Sequence, residues 1–142
     1  MSVVLDASVA LPWCFEDEAN EASRRLLRHV GDHGAVTTAM WPVEILNAIV
    51  TALKRNRINT DVADRYMYLL DRLSIEVEPA TAAHSFLQVR PLALRFNLSA
   101  YDASYLELAA RRDLSLASND MRLLAAARSA GVPVWDERPS PT

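Results

Sequence analysis

Cysteine and glycine are both scarce in this chain, which has one cysteine and three glycines among 142 residues. The single cysteine, Cys14, excludes an internal disulfide, and its place between Trp13 and Phe15 favours packing over reactivity. We therefore expect a cytoplasmic protein. No apolar run approaches the roughly 20 residues that cross a bilayer, and no basic leader precedes the first apolar run, so we expect neither secretion nor a membrane location.

Lysine is nearly absent as well. Lys54 is the one lysine among fifteen basic residues, and the other fourteen are arginines. The planar guanidinium group suits bidentate contact with phosphate, although genomic base composition produces the same bias. The formal net charge of −3 argues against a protein that holds nucleic acid by bulk positive charge, and it leaves room for local basic patches.

Apolar residues, by contrast, make up 51% of the chain, which is enough to build the core of one domain. We predict a single domain over residues 1–137 and a short C-terminal tail over residues 138–142. Short β-branched or apolar runs predict strands, and helical spacing of apolar residues predicts helices. The predicted strands are 3–5, 35–38, 74–78, 114–117 and 132–135; the predicted helices are 9–15, 18–29, 41–57, 60–73, 81–96, 99–109 and 121–130.

The boundaries of some helices carry their own signals. Gly31 and Gly34 are predicted to end the second helix, and Pro91 to kink or break the fifth. The alternation of strands with helices predicts a three-layer α/β/α fold, with a short parallel sheet flanked by helices.

Four acids fall where this architecture would bring them together. Asp6 and Asp120 directly follow predicted strands, while Glu44 and Asp102 lie in the first turns of helices. Each has a structural alternative: Asp6 and Asp120 as helix N-caps, Asp102 as part of a Ser-x-x-Asp cap with Ser99, and Glu44 as a partner of the helix dipole. Because the carboxyl ends of parallel strands meet at one edge of a sheet, we expect the four acids to converge there.

The chemistry of such a cluster favours a hard divalent cation. Crowded carboxylates repel one another unless some are protonated or a cation enters. An oxygen-only set suits Mg²⁺ or Mn²⁺, and the three histidines form no zinc-like grouping. Asn47 lies one helical turn beyond Glu44 and is predicted to orient it.

Four segments of the sequence carry these acids: Asp-Ala-Ser-Val-Ala-Leu at 6–11, Trp-Pro-Val-Glu at 41–44 with Asn47, Tyr-Asp-Ala-Ser-Tyr-Leu-Glu-Leu-Ala at 101–109, and Ser-Asn-Asp at 118–120. In this order they closely resemble the motifs of PIN-domain ribonucleases, in particular the VapC-type toxins of bacterial toxin–antitoxin pairs. The resemblance runs through nearly the whole chain.

The resemblance implies a PIN-like fold and a metal-dependent endoribonuclease acting as a toxin. It assigns catalysis and the binding of Mg²⁺ or Mn²⁺ to Asp6, Glu44, Asp102 and Asp120. Ser8, Asn47 and Ser118 are supporting candidates, although the family often carries threonine at the position of Ser118.

The same resemblance implies partners: an RNA substrate, a cognate antitoxin whose C-terminal segment occupies the active-site groove, and a second copy of the chain in a homodimer. An apolar groove near Leu11, Trp13 and Phe15 is the predicted place for a partner segment, with core packing of Trp13 as the alternative.

Other functions remain open from the sequence. An aspartate-nucleophile phosphatase also begins with a strand followed by an aspartate, but such enzymes usually carry a second acid two residues later, where this chain has Ser8. A non-catalytic PIN-like binding module is another alternative. So is a PIN nuclease that acts in RNA maturation or DNA cleavage.

Overall fold

A computed structural model of the chain describes residues 1–136; the predicted domain boundary at residue 137 and the tail at 138–142 lie outside that range. The strands are β1 (Val3–Leu5), β2 (Ala35–Thr37), β3 (Ile75–Val77) and β4 (Ser115–Ala117). The α-helices are α1 (Ala7–Ala10), α2 (Glu21–His33), α3 (Trp41–Lys54), α4 (Thr60–Arg72), α5 (Ala82–His84), α6 (Arg90–Phe96), α7 (Ala100–Arg112) and α8 (Met121–Ser129).

The four strands form one parallel sheet in the order β3–β2–β1–β4. Strand β1 is central and wholly buried, with Val4 paired to Val36 on one side and to Leu116 on the other. The chain adds β2 and β3 on one side of β1 and then returns to place β4 on the other. This reversal creates a topological switch point between β1 and β4, where open α/β sheets bind their ligands. The predicted parallel α/β architecture is thereby confirmed.

Helix α7 packs against both strands at that switch point, β1 and β4. Ser99 caps its first turn by accepting a hydrogen bond from the Asp102 N–H (3.1 Å), as the sequence predicts. Its buried side chains include Tyr105, Leu106 and Leu108, which anchor the helix in the core. The direction of α7 is therefore set by core packing, and its first turn lies at the carboxyl edge of the sheet.

The second helix differs from its predicted boundaries. It begins at Glu21 because Asn20 and Ser23 form a capping box, and it continues through Gly31, where the space around the α-carbon is open. The prediction that Gly31 ends it is wrong. Gly34 does end it, with φ of 76°, and a Cβ there would lie 2.9 Å from the Ser74 carbonyl oxygen.

Three other predicted elements are also corrected. The stretch at 9–15 is the short helix α1 followed by a 3₁₀ turn at Leu11–Trp13, and a further 3₁₀ turn follows at Glu16–Glu18. The 81–96 segment is not broken at Pro91: it runs as α5, a π-helical turn at Ser85–Val89 and α6, and Pro91 lies in the first turn of α6. The strand predicted at 132–135 is a single bridge between Leu116 and Val134.

Candidate active site at the carboxyl edge of the sheet

Asp6 lies at the end of β1 and is buried, with 5% of its surface exposed. It precedes α1 but makes no side-chain capping bond, so the capping alternative does not hold. Instead its Oδ2 accepts hydrogen bonds from Ser8 Oγ (2.8 Å) and Ser118 Oγ (2.6 Å). Two hydroxyl donors on one oxygen orient the carboxylate without neutralising its charge.

The loop after β4 is connected to Asp6 by hydrogen bonds through the hydroxyls of Ser8 and Ser118. The Asp120 N–H donates to Ser118 Oγ (2.9 Å), and the Asn119 N–H donates to Ser8 Oγ (2.9 Å). Asn119 Nδ2 also donates to the Ser8 carbonyl oxygen (3.2 Å). Each serine hydroxyl thus accepts a hydrogen bond from a backbone N–H and donates one to Asp6, and these bonds connect the ends of β1 and β4.

Asp120 both faces the site and caps α8. Its Oδ1 accepts hydrogen bonds from the N–H groups of Arg122 (2.9 Å) and Leu123 (3.1 Å), so the capping alternative is confirmed. That cap uses one carboxylate oxygen. The negative charge remains close enough to raise the pKa of Asp102.

Glu44, in the first turn of α3, is half-buried and held from α7. Tyr105 Oη donates a hydrogen bond to Glu44 Oε1 (3.1 Å). Burial raises the pKa of Glu44, the phenol hydrogen bond lowers it in part, and the charges of Asp6 and Asp102 raise it further. Together these effects raise the pKa of Glu44 above its ordinary value.

Asp102 is half-buried in the first turn of α7. Burial raises its pKa most, the charges of Asp120 and Asp6 raise it further, and the Ser99 side chain lowers it in part. The Ser99 cap engages the backbone of Asp102, so the cap and a functional carboxylate coexist on one residue.

The four acids therefore share one electrostatic environment at the switch point. None of them takes part in the ion pairs found between side chains of residues 1–136. Within that range no three histidine, cysteine or acidic side chains are gathered closely enough to form a ready metal-binding group. Mutual repulsion of like charges keeps uncompensated carboxylates apart.

The structure places Ser8 and Ser118 next to Asp6 as predicted supporting residues, but it does not pair Asn47 with Glu44. Ser8 and Ser118 are bonded to Asp6, as described above. Asn47 is exposed, and the hydrogen bond to Glu44 comes from Tyr105 instead. Tyr105 and Asn119 are the contacts that sequence reasoning missed. The Tyr105 contact spans 61 positions, and helical spacing assigns that residue only to the core.

A cavity of about 620 Å³ lies beside this edge and includes Ser8, Ser118 and Asn119 in its wall. Leu11 lines it, Phe15 is buried in the core, and Trp13 Nε1 donates to the carbonyl oxygen of Ser23, another residue of the cavity wall (2.9 Å). Leu11 shares this cavity with the apolar residues Pro12 and Leu26, whereas Trp13 and Phe15 line two neighbouring cavities. The binding of a partner segment near these three residues stays a prediction.

A parallel sheet with helices on both faces and an acidic cluster at its switch point defines an α/β domain with a polar, oxygen-lined site. The PIN domain profile matches residues 3–129 of this chain. The chain belongs to the PIN domain family, which is a family of nucleases. The strand followed by Asp6 is accordingly part of a PIN domain rather than of an aspartate-nucleophile phosphatase.

Solved structures support the same fold. The chain is similar to PAE2754 from Pyrobaculum aerophilum, with a TM-score of 0.64 and 24% identity over 89% of this chain and 87% of that one. It is also similar to FitAcB from Neisseria gonorrhoeae, with a TM-score of 0.63 and 20% identity over 94% and 96% of the two chains. No curated protein matches the chain. Within residues 1–136, none of the helices combines the length and apolar character needed to span a membrane.

Proposed function

We propose that this PIN domain, extending over residues 1–137, is a metal-dependent endoribonuclease that acts in the cytoplasm as the toxin of a toxin–antitoxin pair. The observation that carries the nuclease proposal is the group of four acids, Asp6, Glu44, Asp102 and Asp120. They come from four separate elements and lie at one sheet edge, where burial and like charge raise the pKa of two of them. Such an arrangement costs the fold stability, and acids with pKa values raised in this way are concentrated at functional sites.

The donor types of the four acids fit Mg²⁺ or Mn²⁺, and a cation would draw together carboxylates that lie apart within residues 1–136 of the metal-free chain. The donor set consists of carboxylate oxygens and contains no histidine or cysteine, which is the preference of these hard cations. Asp6, Glu44, Asp102 and Asp120 would hold the cation. When bound, a divalent cation makes a water molecule acidic enough to attack a phosphodiester and offsets the negative charge that develops on the phosphate.

Protein side chains contribute orientation to this site. Ser8 and Ser118 fix Oδ2 of Asp6 and leave its Oδ1 for a ligand. Asp120 presents the oxygen that does not cap α8. We propose that Asn47, which is exposed on α3 one turn after Glu44, contacts substrate, because Tyr105 already donates to that acid. Rigid carboxylates reduce the reorganisation needed during the reaction.

RNA is the proposed substrate because the segments at 6–11, 41–47, 101–109 and 118–120 resemble PIN-domain ribonucleases. Arginines around the acidic site would contact the phosphate backbone, since an acidic pocket needs cations at its rim to admit a polyanion. A PIN nuclease acting on DNA is the second candidate, and a matched single-stranded DNA substrate distinguishes the two.

We also propose two protein partners. The cavity beside Ser8 has an apolar wall that includes Leu11, Pro12 and Leu26, which suits a partly apolar segment of a cognate antitoxin. A homodimer is proposed as well, supported by Val43 and Leu46, apolar residues of α3 that are more than half exposed. Sedimentation equilibrium of the purified chain tests the dimer.

The nuclease proposal is tested by incubating the purified chain with structured RNAs in Mg²⁺, Mn²⁺ or EDTA. Asp102→Asn is the test variant. Asp61→Asn is a matched control, because Asp61 also lies in the first turn of a helix, α4, but is exposed and away from the acidic cluster. We expect EDTA and Asp102→Asn to abolish cleavage and Asp61→Asn to leave it intact. Cleavage that survives both EDTA and Asp102→Asn would overturn the proposal.

A further inference from the structure

Tyr105 links two of the four acidic elements from inside the core. It lies three residues after Asp102 on α7 and is fully buried, with 0% of its surface exposed. Its Oη donates to Glu44 Oε1 on α3 at 3.1 Å. One residue thus connects the helix that carries Asp102 to the carboxylate of Glu44.

The hydroxyl is not required for filling the core, since phenylalanine fills nearly the same volume. A buried hydroxyl is costly unless it is hydrogen-bonded, and a bond to a carboxylate is stronger than one to a neutral acceptor. The phenol finds that acceptor in Glu44. An ordinary phenol has a pKa of about 10, so the hydroxyl is protonated at neutral pH and donates to that carboxylate.

Thr38, the residue that directly follows β2, is a second buried hydroxyl residue in this region. It is 7% exposed, and its Oγ1 has no hydrogen-bond partner of good geometry within residues 1–136. Glu44 Oε1 is therefore the acceptor that the Tyr105 hydroxyl meets, and Thr38 supplies none of good geometry within residues 1–136.

We propose that Tyr105 is a positioning residue for the cation site: its Oη holds Oε1 of Glu44, which leaves Oε2 for the cation. This inference rests on the function proposed above. Positioning partners of this kind restrict the rotation of a ligand side chain, and their loss typically weakens metal affinity about 10–100-fold.

Tyr66 provides a matched control within the same chain. It is also buried, and its Oη donates a hydrogen bond to a carbonyl oxygen, that of Ala10, at 2.7 Å. Tyr66→Phe removes an equally buried phenol hydroxyl that contacts none of the four acids. A general effect of losing such a hydroxyl would appear in both variants.

The experiment measures Mn²⁺ binding by titration calorimetry on the wild-type chain, Tyr105→Phe and Tyr66→Phe, each verified as folded by circular dichroism. We expect Tyr105→Phe to raise the dissociation constant about 10–100-fold. Tyr66→Phe should leave it unchanged. Unaltered Mn²⁺ binding in Tyr105→Phe, or an equal weakening in both variants, would overturn the assignment.

A double-mutant cycle tests whether Tyr105 acts through Glu44. In a Glu44→Ala background, adding Tyr105→Phe should produce no further loss of Mn²⁺ affinity, because the contact is already absent. A further loss as large as in the wild-type background would show that Tyr105 acts by another route and would refute the proposal.

Crystals of the wild-type chain with and without Mn²⁺ give a readout that does not depend on any variant. The Tyr105 Oη–Glu44 Oε1 hydrogen bond should persist in both; its loss on Mn²⁺ binding contradicts a positioning role. If the wild-type chain neither binds Mn²⁺ nor cleaves RNA, the proposed function itself fails. Normal Mn²⁺ binding by Tyr105→Phe alongside wild-type cleavage would instead overturn only the role of Tyr105.

Discussion

Helix α7 carries partly or fully buried acids in two contrasting settings. Glu107, 8% exposed, accepts hydrogen bonds from His84 Nε2 (2.9 Å) and Arg111 Nε (2.7 Å). Arg111 and Arg112 extend the network to Glu78 at the end of β3. Asp102, at the other end of the same helix, has acids for electrostatic neighbours.

The difference separates an acid that stabilises the fold from acids that are available for chemistry. The network around Glu107 neutralises buried charge with protein cations and holds α5 against α7. The cluster around Asp102 is oriented by hydroxyls and a phenol, none of which compensates its charge. A buried acid that no cationic side chain neutralises is stabilised when a cation binds from solution.

The largest expected effect is on cleavage. Asp6→Asn should reduce cleavage of RNA by more than about a hundredfold, because losing a ligand costs more than losing a positioning partner of one. Glu107→Gln, the same type of change in the paired network, should retain cleavage once both are assayed below their unfolding temperatures. If Glu107→Gln reduced the single-turnover cleavage rate more than Asp6→Asn does, the distinction between the paired acid and the acidic cluster would be wrong.

Added Mn²⁺ should stabilise the wild-type chain by about 2.7 kcal/mol at a concentration one hundred times the dissociation constant, since it binds the folded state. Urea unfolding followed by circular dichroism measures this change. Asp102→Asn should show little of it, whereas Glu107→Gln should respond like the wild type. Equal stabilisation of all three chains would place Mn²⁺ outside the acidic cluster.

Glu107→Gln should lower the free energy of unfolding by about 1–2 kcal/mol, through weakened charge-assisted hydrogen bonds to His84 and Arg111. The low end of that range reflects the partial exposure of Arg111. Asp102→Asn should leave the stability of the metal-free chain the same or higher, because it relieves repulsion. A large loss of stability in Asp102→Asn would mean that its charge is compensated after all.

The stability advantage of Asp102→Asn over the wild type should depend on pH. The folded-state pKa of Asp102 is raised above its ordinary value, so its charge opposes folding above that pKa. The advantage should be full at neutral pH and disappear as pH falls through the raised pKa towards the ordinary range. Urea titrations of both metal-free chains across that interval measure it; an advantage that grows as pH falls has the wrong sign.

The smallest effect is expected for Ser118→Thr. It keeps the hydroxyl that donates to Asp6 and accepts from the Asp120 N–H, so cleavage should be nearly unchanged. Ser118→Ala removes both bonds and should reduce cleavage by about tenfold, at the low end for a supporting contact. Steady-state cleavage assays compare the two. A stronger defect in Ser118→Thr than in Ser118→Ala would exclude the hydroxyl as the functional feature.

Much of the fold follows from local pattern. The apolar runs predict β1, β2, β3 and β4 within a residue or two, and Ser99 predicts the start of α7. Predictions fail where local signals compete. Gly31 suggests a helix end, but the helix continues to Gly34, whose positive φ and close approach to Ser74 force the stop.

The sequence by itself determined the alternation of strands and helices and the position of each acid directly after a strand or in a first helical turn. Those features are local, and each is encoded within a few neighbouring residues. Only the tertiary structure decided how the carboxylates are held. Ser118 meets Asp6 across 112 positions and Tyr105 meets Glu44 across 61. Such contacts arise from the order of strands in the sheet and the packing of α7, which no local periodicity records.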